Sequence, residues 1–201
     1  MKRIGFYTGM FLAVWCFAAC SSDSDDNFED EWRLKNEQAF NEIKQNPEYT
    51  EIKSPGNQGS IYYKVIEKGK GTKPIYYTSR VQAYYKGWFV APAPERNIDK
   101  GTVFDHSLFD DGLPFKLAMS SGAVGYYPAT SYYYTYTPSI EYGTVITGWT
   151  IALQYMVEGD KWEIWIPYQL AYGTADKGSI PGYSTLAFEM EVTKVISVDE
   201  F

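Results

Sequence analysis

The sequence predicts an α+β fold in which a short helix lies on a β-sheet. One apolar set falls at the i, i+3, i+4 and i+7 spacing of a single helix face: Trp149, Ala152, Leu153 and Met156. From Lys161 the period changes to two, as in a half-buried strand, until Pro167 withdraws a backbone donor. The same alternation returns at residues 186–193. These three stretches indicate a helix followed by sheet strands.

The first nineteen residues are predicted to be a secretory signal peptide. Lys2 and Arg3 give it a positive start, and the apolar run 4–17 is too short to span a membrane as a mature helix. The FAAC run at 17–20 resembles a bacterial lipoprotein cleavage site, which predicts acyl groups on Cys20. The protein would then be an outer membrane lipoprotein of a Gram-negative bacterium. The alternative is an ordinary signal peptide that leaves Cys20 free.

Residues 20–58 are predicted to be a lipid-anchored tether with a short amphipathic helix. Residues 21–29 are polar and acidic, and they bury too little apolar surface to order themselves. This acidic run indicates either a surface-export signal or a solvated spacer, so both the periplasmic face and the cell surface stay open. At residues 30–45 the apolar positions have helical spacing: Leu34, Ala39, Phe40 and Ile43. Proline and glycine at 54–59 predict a domain boundary before residues 59–201.

The rest of the chain reads as strands up to the central helix. Alternating apolar residues predict strands at 61–66 and 81–85, separated by a turn at Gly69 and Gly71 and complete before Gly87. The segment 88–101 has two prolines and no period, which indicates a loop. Short strands are predicted at 102–104 and 115–117. Gly148 and Gly159 are expected to bracket a short helix.

Composition narrows the possible functions. The chain has 201 residues, 45% hydrophobic and 18% aromatic, which is enough for one domain with a sizeable core. Its net charge of -7 disfavours a nucleic acid partner. It has no glycine-rich phosphate loop, no His and Cys cluster, and no nucleophile with a histidine at credible spacing, so no metal or cofactor is predicted. The single histidine, His106, is interpreted as a loop residue rather than an acid or base.

A series of short motifs resembles the FKBP-type peptidyl-prolyl isomerases. In the family's order they are VQAYYKG at 81–87, VFD at 103–105 with LPF at 113–115, VITGW at 145–149, IPYQLAYG at 166–173, IP at 180–181 and STLAFEMEV at 184–192. The resemblance covers about residues 59–198, apart from two loop insertions. It implies a twisted antiparallel β-sheet wrapped around the short helix.

The resemblance also implies a proline-binding pocket with Trp149 as its floor. The pocket residues carried over from the motifs are Tyr85, Phe104, Asp105, Phe115, Val145, Ile146, Trp149, Tyr172, Ile180 and Phe188. The segment TADKGS at 174–179 is one residue shorter than the commonest family loop and lacks its frequent histidine. We therefore expect the departure to affect substrate preference more than activity.

The implied activity is cis-trans isomerisation of X-Pro bonds in exported proteins, with no cofactor. The Tyr172 hydroxyl and the Ile146 N–H resemble the family's donors to substrate carbonyl groups. Asp105, held by the Tyr85 hydroxyl, would polarise or orient the twisted amide. Proline-containing polypeptides are the implied partners, and the family's macrolide inhibitors would compete for the same pocket.

Other interpretations remain open at the level of sequence. The aromatic residues could simply be core, since a sheet on one helix needs a large apolar interior. The chain could instead be a protein-binding or chaperone module with little turnover, using the tyrosine-rich insertion 118–144. Contacts to a client would then come from Tyr126, Tyr133 and Tyr136. That insertion could also be a hairpin folded onto its own domain, or a sugar-binding surface of stacked tyrosines.

Overall fold

The computed structural model describes residues 23–107, 114–119 and 143–196, which form two α-helices and one sheet. The elements are α1 (Asp23–Gln45), β1 (Thr50–Lys53), β2 (Ser60–Glu67), β3 (Arg80–Phe89), β4 (Val103–His106), β5 (Phe115–Ala118), β6 (Gly143–Thr144), α2 (Thr147–Leu153), β7 (Lys161–Ile166) and β8 (Leu186–Ile196). The eight strands pair in the order β1-β2-β7-β8-β3-β5-β6, with β4 also paired to β3. All pairs are antiparallel except β5 with β6. The predicted antiparallel α+β fold is confirmed.

Helix α2 buries the face that the sequence predicts. Trp149, Ala152, Leu153 and Met156 are all buried in the main core. Gly148 lies inside the helix rather than before it. A Cβ at this position would collide with Ile166 of β7, so the absence of a side chain lets α2 approach the sheet closely. Gly159 has the expected positive φ of 87°, but α2 already ends at Leu153. Gly159 instead leads the chain into β7, and its N–H donates to the Val192 carbonyl at 2.7 Å.

Helix α1 is longer than predicted and packs on the domain with a different face. It begins at Asp23, within the segment expected to be an unordered tether. Leu34, expected on the apolar face, is 60% exposed, whereas Trp32 is 1% exposed. Asn36 lies on the buried face because both ends of its amide are hydrogen-bonded. Its Nδ2 donates to the Trp32 carbonyl at 2.8 Å, and its Oδ1 accepts from the Thr185 N–H at 2.9 Å.

The packing of α1 gives the sheet a second covered face. Trp165 of β7 and Ala187 of β8 are buried in a cluster with Phe40 and Ile43 of α1. The prediction of a half-buried β7 is therefore wrong at Trp165, whose side chain points away from α2 but is covered by α1. The unpredicted strand β1 pairs with β2, so the predicted boundary at residue 59 falls in the turn between two paired strands.

Several sequence predictions concern residues outside those described. They are the signal peptide 1–19, acylation of Cys20, and the tyrosines at 126, 133 and 136. Within the described ranges, neither helix has the length and apolar character needed to cross a membrane.

Candidate functional site

A cavity of about 460 Å³ opens between α2 and the sheet at the place where the sequence motifs converge. Its lining comes from α2, four strands and two loops. The described lining residues are Tyr85, Phe104, Asp105, Phe115, Val145, Ile146, Trp149, Tyr172, Lys177 and Phe188. Nine of the ten predicted pocket residues thus meet in one cavity. Ile180 does not line it, and Lys177 was not predicted.

The floor of the cavity is a set of aromatic rings packed edge to face. The Trp149 ring lies 4.8 Å from Tyr85 and 5.1 Å from Phe188, centroid to centroid, at interplanar angles of 76° and 86°. Such pairs prefer this geometry because the positive ring edge meets the negative ring face. Trp149 is anchored by α2 and Phe188 by β8, so helix and sheet together fix the floor. The cavity therefore presents a rigid apolar surface.

Gly87 makes room for this floor, a role that the sequence pattern does not reveal. It lies within β3, which continues to Phe89 rather than ending before Gly87 as predicted. A Cβ on Gly87 would lie 2.6 Å from atoms of both Phe104 and Phe188. These two rings cross at 88° with centroids 5.6 Å apart, directly over the Gly87 backbone. A side chain at this position would displace the wall of the cavity.

The polar side of the cavity is built from Tyr85, Asp105 and Tyr172. The Tyr85 hydroxyl donates to Asp105 Oδ2 at 2.8 Å. Burial, followed by this hydrogen bond to a carboxylate, raises the pKa of Tyr85 well above its ordinary value. Burial and the charge of Asp105 also raise the pKa of Tyr172. Both phenols therefore stay protonated at neutral pH and remain hydrogen-bond donors.

Two donors in the cavity are unused by the described part of the protein. The Tyr172 hydroxyl has no hydrogen-bond partner there, and the residue is 41% exposed. The N–H of Ile146, the residue that caps the start of α2, finds no acceptor within the same ranges. The Ile146 carbonyl, by contrast, accepts from the N–H groups of Trp149 and Thr150. Each free donor is available to a ligand carbonyl.

The loop between Tyr172 and Tyr183 forms one rim of the cavity. Lys177 and Ile180 exchange two backbone hydrogen bonds of 2.8 and 3.0 Å, and Gly178 between them has φ +60°. This turn directs Lys177 to the cavity and buries Ile180 in the main core, at 8% exposure. His106 is the exposed last residue of β4 and is not among the described residues that line the cavity.

A second cavity, of about 480 Å³, lies between α1 and the sheet. It is lined by charged and amide side chains such as Glu37, Lys44, Glu51 and Gln169, with Phe40 and Tyr62. Its Phe40 and Tyr62 rings also pack edge to face, with centroids 5.6 Å apart, but six charged or amide side chains line it, against two among the described residues of the cavity over Trp149. The cavity over Trp149 is therefore the candidate site.

Comparison with known proteins finds relatives of this chain in both sequence and structure. The family model for FKBP-type peptidyl-prolyl cis-trans isomerases matches residues 130–193. The chain is 32% identical over 140 residues to the FKBP-type 22 kDa peptidyl-prolyl cis-trans isomerase of Escherichia coli (strain K12), covering 69% of this chain and 52% of that protein. It is 30% identical over 132 residues to FK506-binding protein 1 of Aspergillus oryzae, covering 66% of this chain and 95% of that one.

A solved structure shows the same likeness. The crystal structure of a peptidyl-prolyl cis-trans isomerase from Pseudomonas syringae pv. tomato has a TM-score of 0.58 at 26% identity, covering 84% of this chain and 96% of that chain. The present chain spans about half the length of the Escherichia coli relative and nearly all of the Aspergillus oryzae relative.

Proposed function

The chain belongs to the FKBP-type peptidyl-prolyl cis-trans isomerase family, and we propose that it accelerates X-Pro bond rotation in exported proteins. One observation carries the proposal: a single cavity joins a packed aromatic floor to Asp105, Tyr172 and the Ile146 N–H. Proline-containing polypeptides are its substrates, and macrolide inhibitors of the family would occupy the same cavity.

Rotation of an X-Pro bond requires a site that excludes water and does not require a nucleophile. Rotation about a peptide bond meets a barrier of about 18–20 kcal/mol, because resonance holds the bond planar. Water favours the charge-separated resonance form, so an amide that leaves water for an apolar cavity rotates more easily. The cis and trans forms of an X-Pro bond differ by only about 1 kcal/mol, so lowering the barrier is enough. Trp149 and Phe188 supply the apolar surface for the proline ring.

The polar groups act on the twisted amide. The Tyr172 hydroxyl and the Ile146 N–H donate to carbonyl groups of the substrate and hold its backbone in place while the X-Pro bond rotates. Asp105, oriented by the Tyr85 hydroxyl at 2.8 Å, faces the amide whose charge distribution changes on twisting. The proton on Tyr85 stays in place throughout, because its pKa is raised by burial.

A peptide assay tests this proposal. A fragment of residues 23–201 keeps α1 and every described cavity residue, so it should fold and accelerate the cis to trans conversion of a short X-Pro peptide. A folded fragment, shown by a cooperative thermal transition, that gives no acceleration would overturn the proposed activity. It would leave a protein-binding module as the remaining interpretation.

We further propose that the protein works as an outer membrane lipoprotein anchored through acylated Cys20. The FAAC run at 17–20, after a positively charged start and an apolar stretch, supports this location. More than one acyl chain would give stable membrane attachment, which a single chain does not. Mass spectrometry of the mature N-terminus should find a lipid-modified Cys20; an unmodified Cys20 would refute the anchor.

A further inference from the structure

Lys177 places a positive charge on the rim of the cavity. Among the described lining residues it is the one basic group, and Asp105 is the one acidic group. Asp105 is engaged by the Tyr85 hydroxyl at 2.8 Å. Lys177 is exposed and pairs with no carboxylate within the described ranges. The described part of the rim thus presents to a ligand an ammonium group that no described carboxylate neutralises.

The loop that carries Lys177 is held at several points. Its hydrogen-bonded turn with Ile180 fixes the Lys177 backbone. The preceding residue, Asp176, accepts from Arg96 Nη1 at 2.8 Å and from the Gly182 N–H at 2.9 Å. These contacts lower the pKa of Asp176, with the Arg96 hydrogen bond as the larger cause. Asp176 therefore stays ionised and paired, and its charge is directed to Arg96 rather than to Lys177.

The contact between Arg96 and helix α1 adds to this fixation. The Arg96 guanidinium lies 4.2 Å from the centroid of the Phe28 ring, and Phe28 stacks on Trp32. Further along the loop, the Trp32 indole N–H donates to Ser184 Oγ at 3.2 Å. The Lys177 backbone is thus positioned before any substrate binds, so little ordering of the loop is needed on binding.

We propose that Lys177 makes the site selective for X-Pro segments with a carboxylate side chain beside the proline. The proposal rests on the isomerase function proposed above and names its preferred substrate class. The chain as a whole carries a net charge of -7, so an acidic segment gains nothing from the overall field. A local ammonium at the rim provides the attraction at contact distance, within the screening length of about 8 Å at physiological salt.

The expected preference is modest because the ammonium is exposed. Ion pairs in such settings change affinity by about two- to fivefold, and salt weakens them. The preference should therefore appear as a lower Kd for acidic peptides at low salt. It should shrink toward unity at about 1 M salt, where the screening length is about 3 Å.

Matched peptides test the proposal on the purified full-length protein in detergent. Short peptides carry either Glu or Gln, in one series directly before the proline and in the other directly after it. The Kd of each is measured by titration calorimetry, and turnover of the Gln peptides is measured in parallel. We expect the Glu peptide to bind about two- to fivefold tighter in at least one series. Lys177→Met should abolish the preference, and Lys177→Glu should invert it.

A matched control separates the local charge from the net charge. Lys53→Glu makes the same charge change on β1, at the opposite edge of the sheet, and should keep the wild-type preference. Equal Kd values for Glu and Gln peptides in both series would overturn the assignment, and so would a preference that persists in Lys177→Met. If the wild-type protein does not turn over the Gln peptides, the isomerase function alone is refuted, because the Kd comparison decides the role of Lys177 independently.

Discussion

At the scale of single residues, some side chains that line the cavity have structural roles and others have chemical roles. Tyr85 is buried and contacts Trp149 and Phe115 edge to face, so its ring is part of the wall. Its hydroxyl at the same time orients Asp105. Asp105 and Tyr172 contribute little to the packed floor. Their removal should therefore separate turnover from stability.

We predict that Asp105→Val and Tyr172→Phe each lower kcat/KM by about ten- to a hundredfold, equivalent to about 1.4–2.7 kcal/mol of transition-state stabilisation. Tyr172→Phe should keep the melting temperature near that of the wild type, since it removes a hydroxyl without a described partner. Asp105→Val leaves the Tyr85 hydroxyl without its described acceptor, so we expect it to lose about 1 kcal/mol of unfolding free energy while the domain stays folded. His106→Ala is the matched control, because this exposed neighbour of Asp105 lies outside the described lining. Full activity in both site variants would mean that the apolar cavity alone performs the catalysis.

Trp149 has a mixed duty, because it is both helix core and cavity floor. Its indole N–H is buried and has no acceptor among the residues that the structure describes. Trp149→Ala should lose about 3–5 kcal/mol of unfolding free energy through the cavity it leaves. Trp149→Phe keeps an aromatic floor and deletes an unsatisfied donor, which offsets part of the lost packing, so we expect a loss of about 1 kcal/mol or less.

Denaturant unfolding would measure both Trp149 variants, with peptide KM measured alongside. The Ala variant should raise KM strongly and the Phe variant only slightly. Equal destabilisation by the two substitutions would show that the indole ring is held by something other than its aromatic neighbours.

At the scale of secondary-structure elements, the sequence predictions are most accurate where the apolar residues follow one period, either that of a helix or that of a strand. The apolar stripe of α2 and the alternation in β8 follow directly from burial on one face, and both sets of apolar residues are buried as predicted, although Met156 lies beyond the end of α2. The site residues next to those elements also meet as the motifs imply, because β3, β4 and β8 bring them to one end of the sheet. Local pattern was enough for the two elements, whereas the site residues were taken from the resemblance to the FKBP-type isomerases.

Helix α1 was misread for a physical reason. Its buried face contains Asn36, a polar residue that pattern reasoning assigns to solvent, and its Leu34 is exposed. Asn36 is tolerated there because Thr185, 149 residues away in sequence, supplies a donor to its carbonyl oxygen. Lys177 and Gly87 were missed for a similar reason, since only the fold shows which atoms surround them. Such long-range contacts leave no local period.

We predict that α1 is necessary for domain stability. Trp32 packs against Phe89 with ring centroids 6.1 Å apart, and Phe89 in turn contacts Phe104 of the cavity. Trp32→Ala should therefore cost about 3–5 kcal/mol of unfolding free energy. Leu34→Ala, on the same helix but 60% exposed, should cost no more than about 0.5 kcal/mol. Similar losses of unfolding free energy in the two variants would contradict the packing of α1 on the domain through Trp32.

At the scale of the whole molecule, the structure shortens the predicted link between anchor and domain. Helix α1 begins at Asp23, so Ser21 and Ser22 alone separate it from Cys20. Three Cα steps of about 3.8 Å reach at most about 11 Å. If Cys20 is acylated, α1 starts close to the membrane surface. Since α1 packs on the sheet, the anchor would then hold the isomerase domain itself near the membrane rather than at the end of a long tether.

The last prediction tests this arrangement in the intact protein. Cys20→Ala should release the protein from membranes, measured by fractionation, because no acyl chain can then be attached. Its melting temperature and its turnover of a short X-Pro peptide should match those of the anchored protein, because the described core and cavity both lie beyond residue 23. Cys16→Ala is the matched control: this cysteine is expected to leave with the signal peptide, so its loss should change neither location nor activity. Release of the Cys16→Ala protein, or retention of the Cys20→Ala protein on membranes, would show that the attachment point lies elsewhere in the chain.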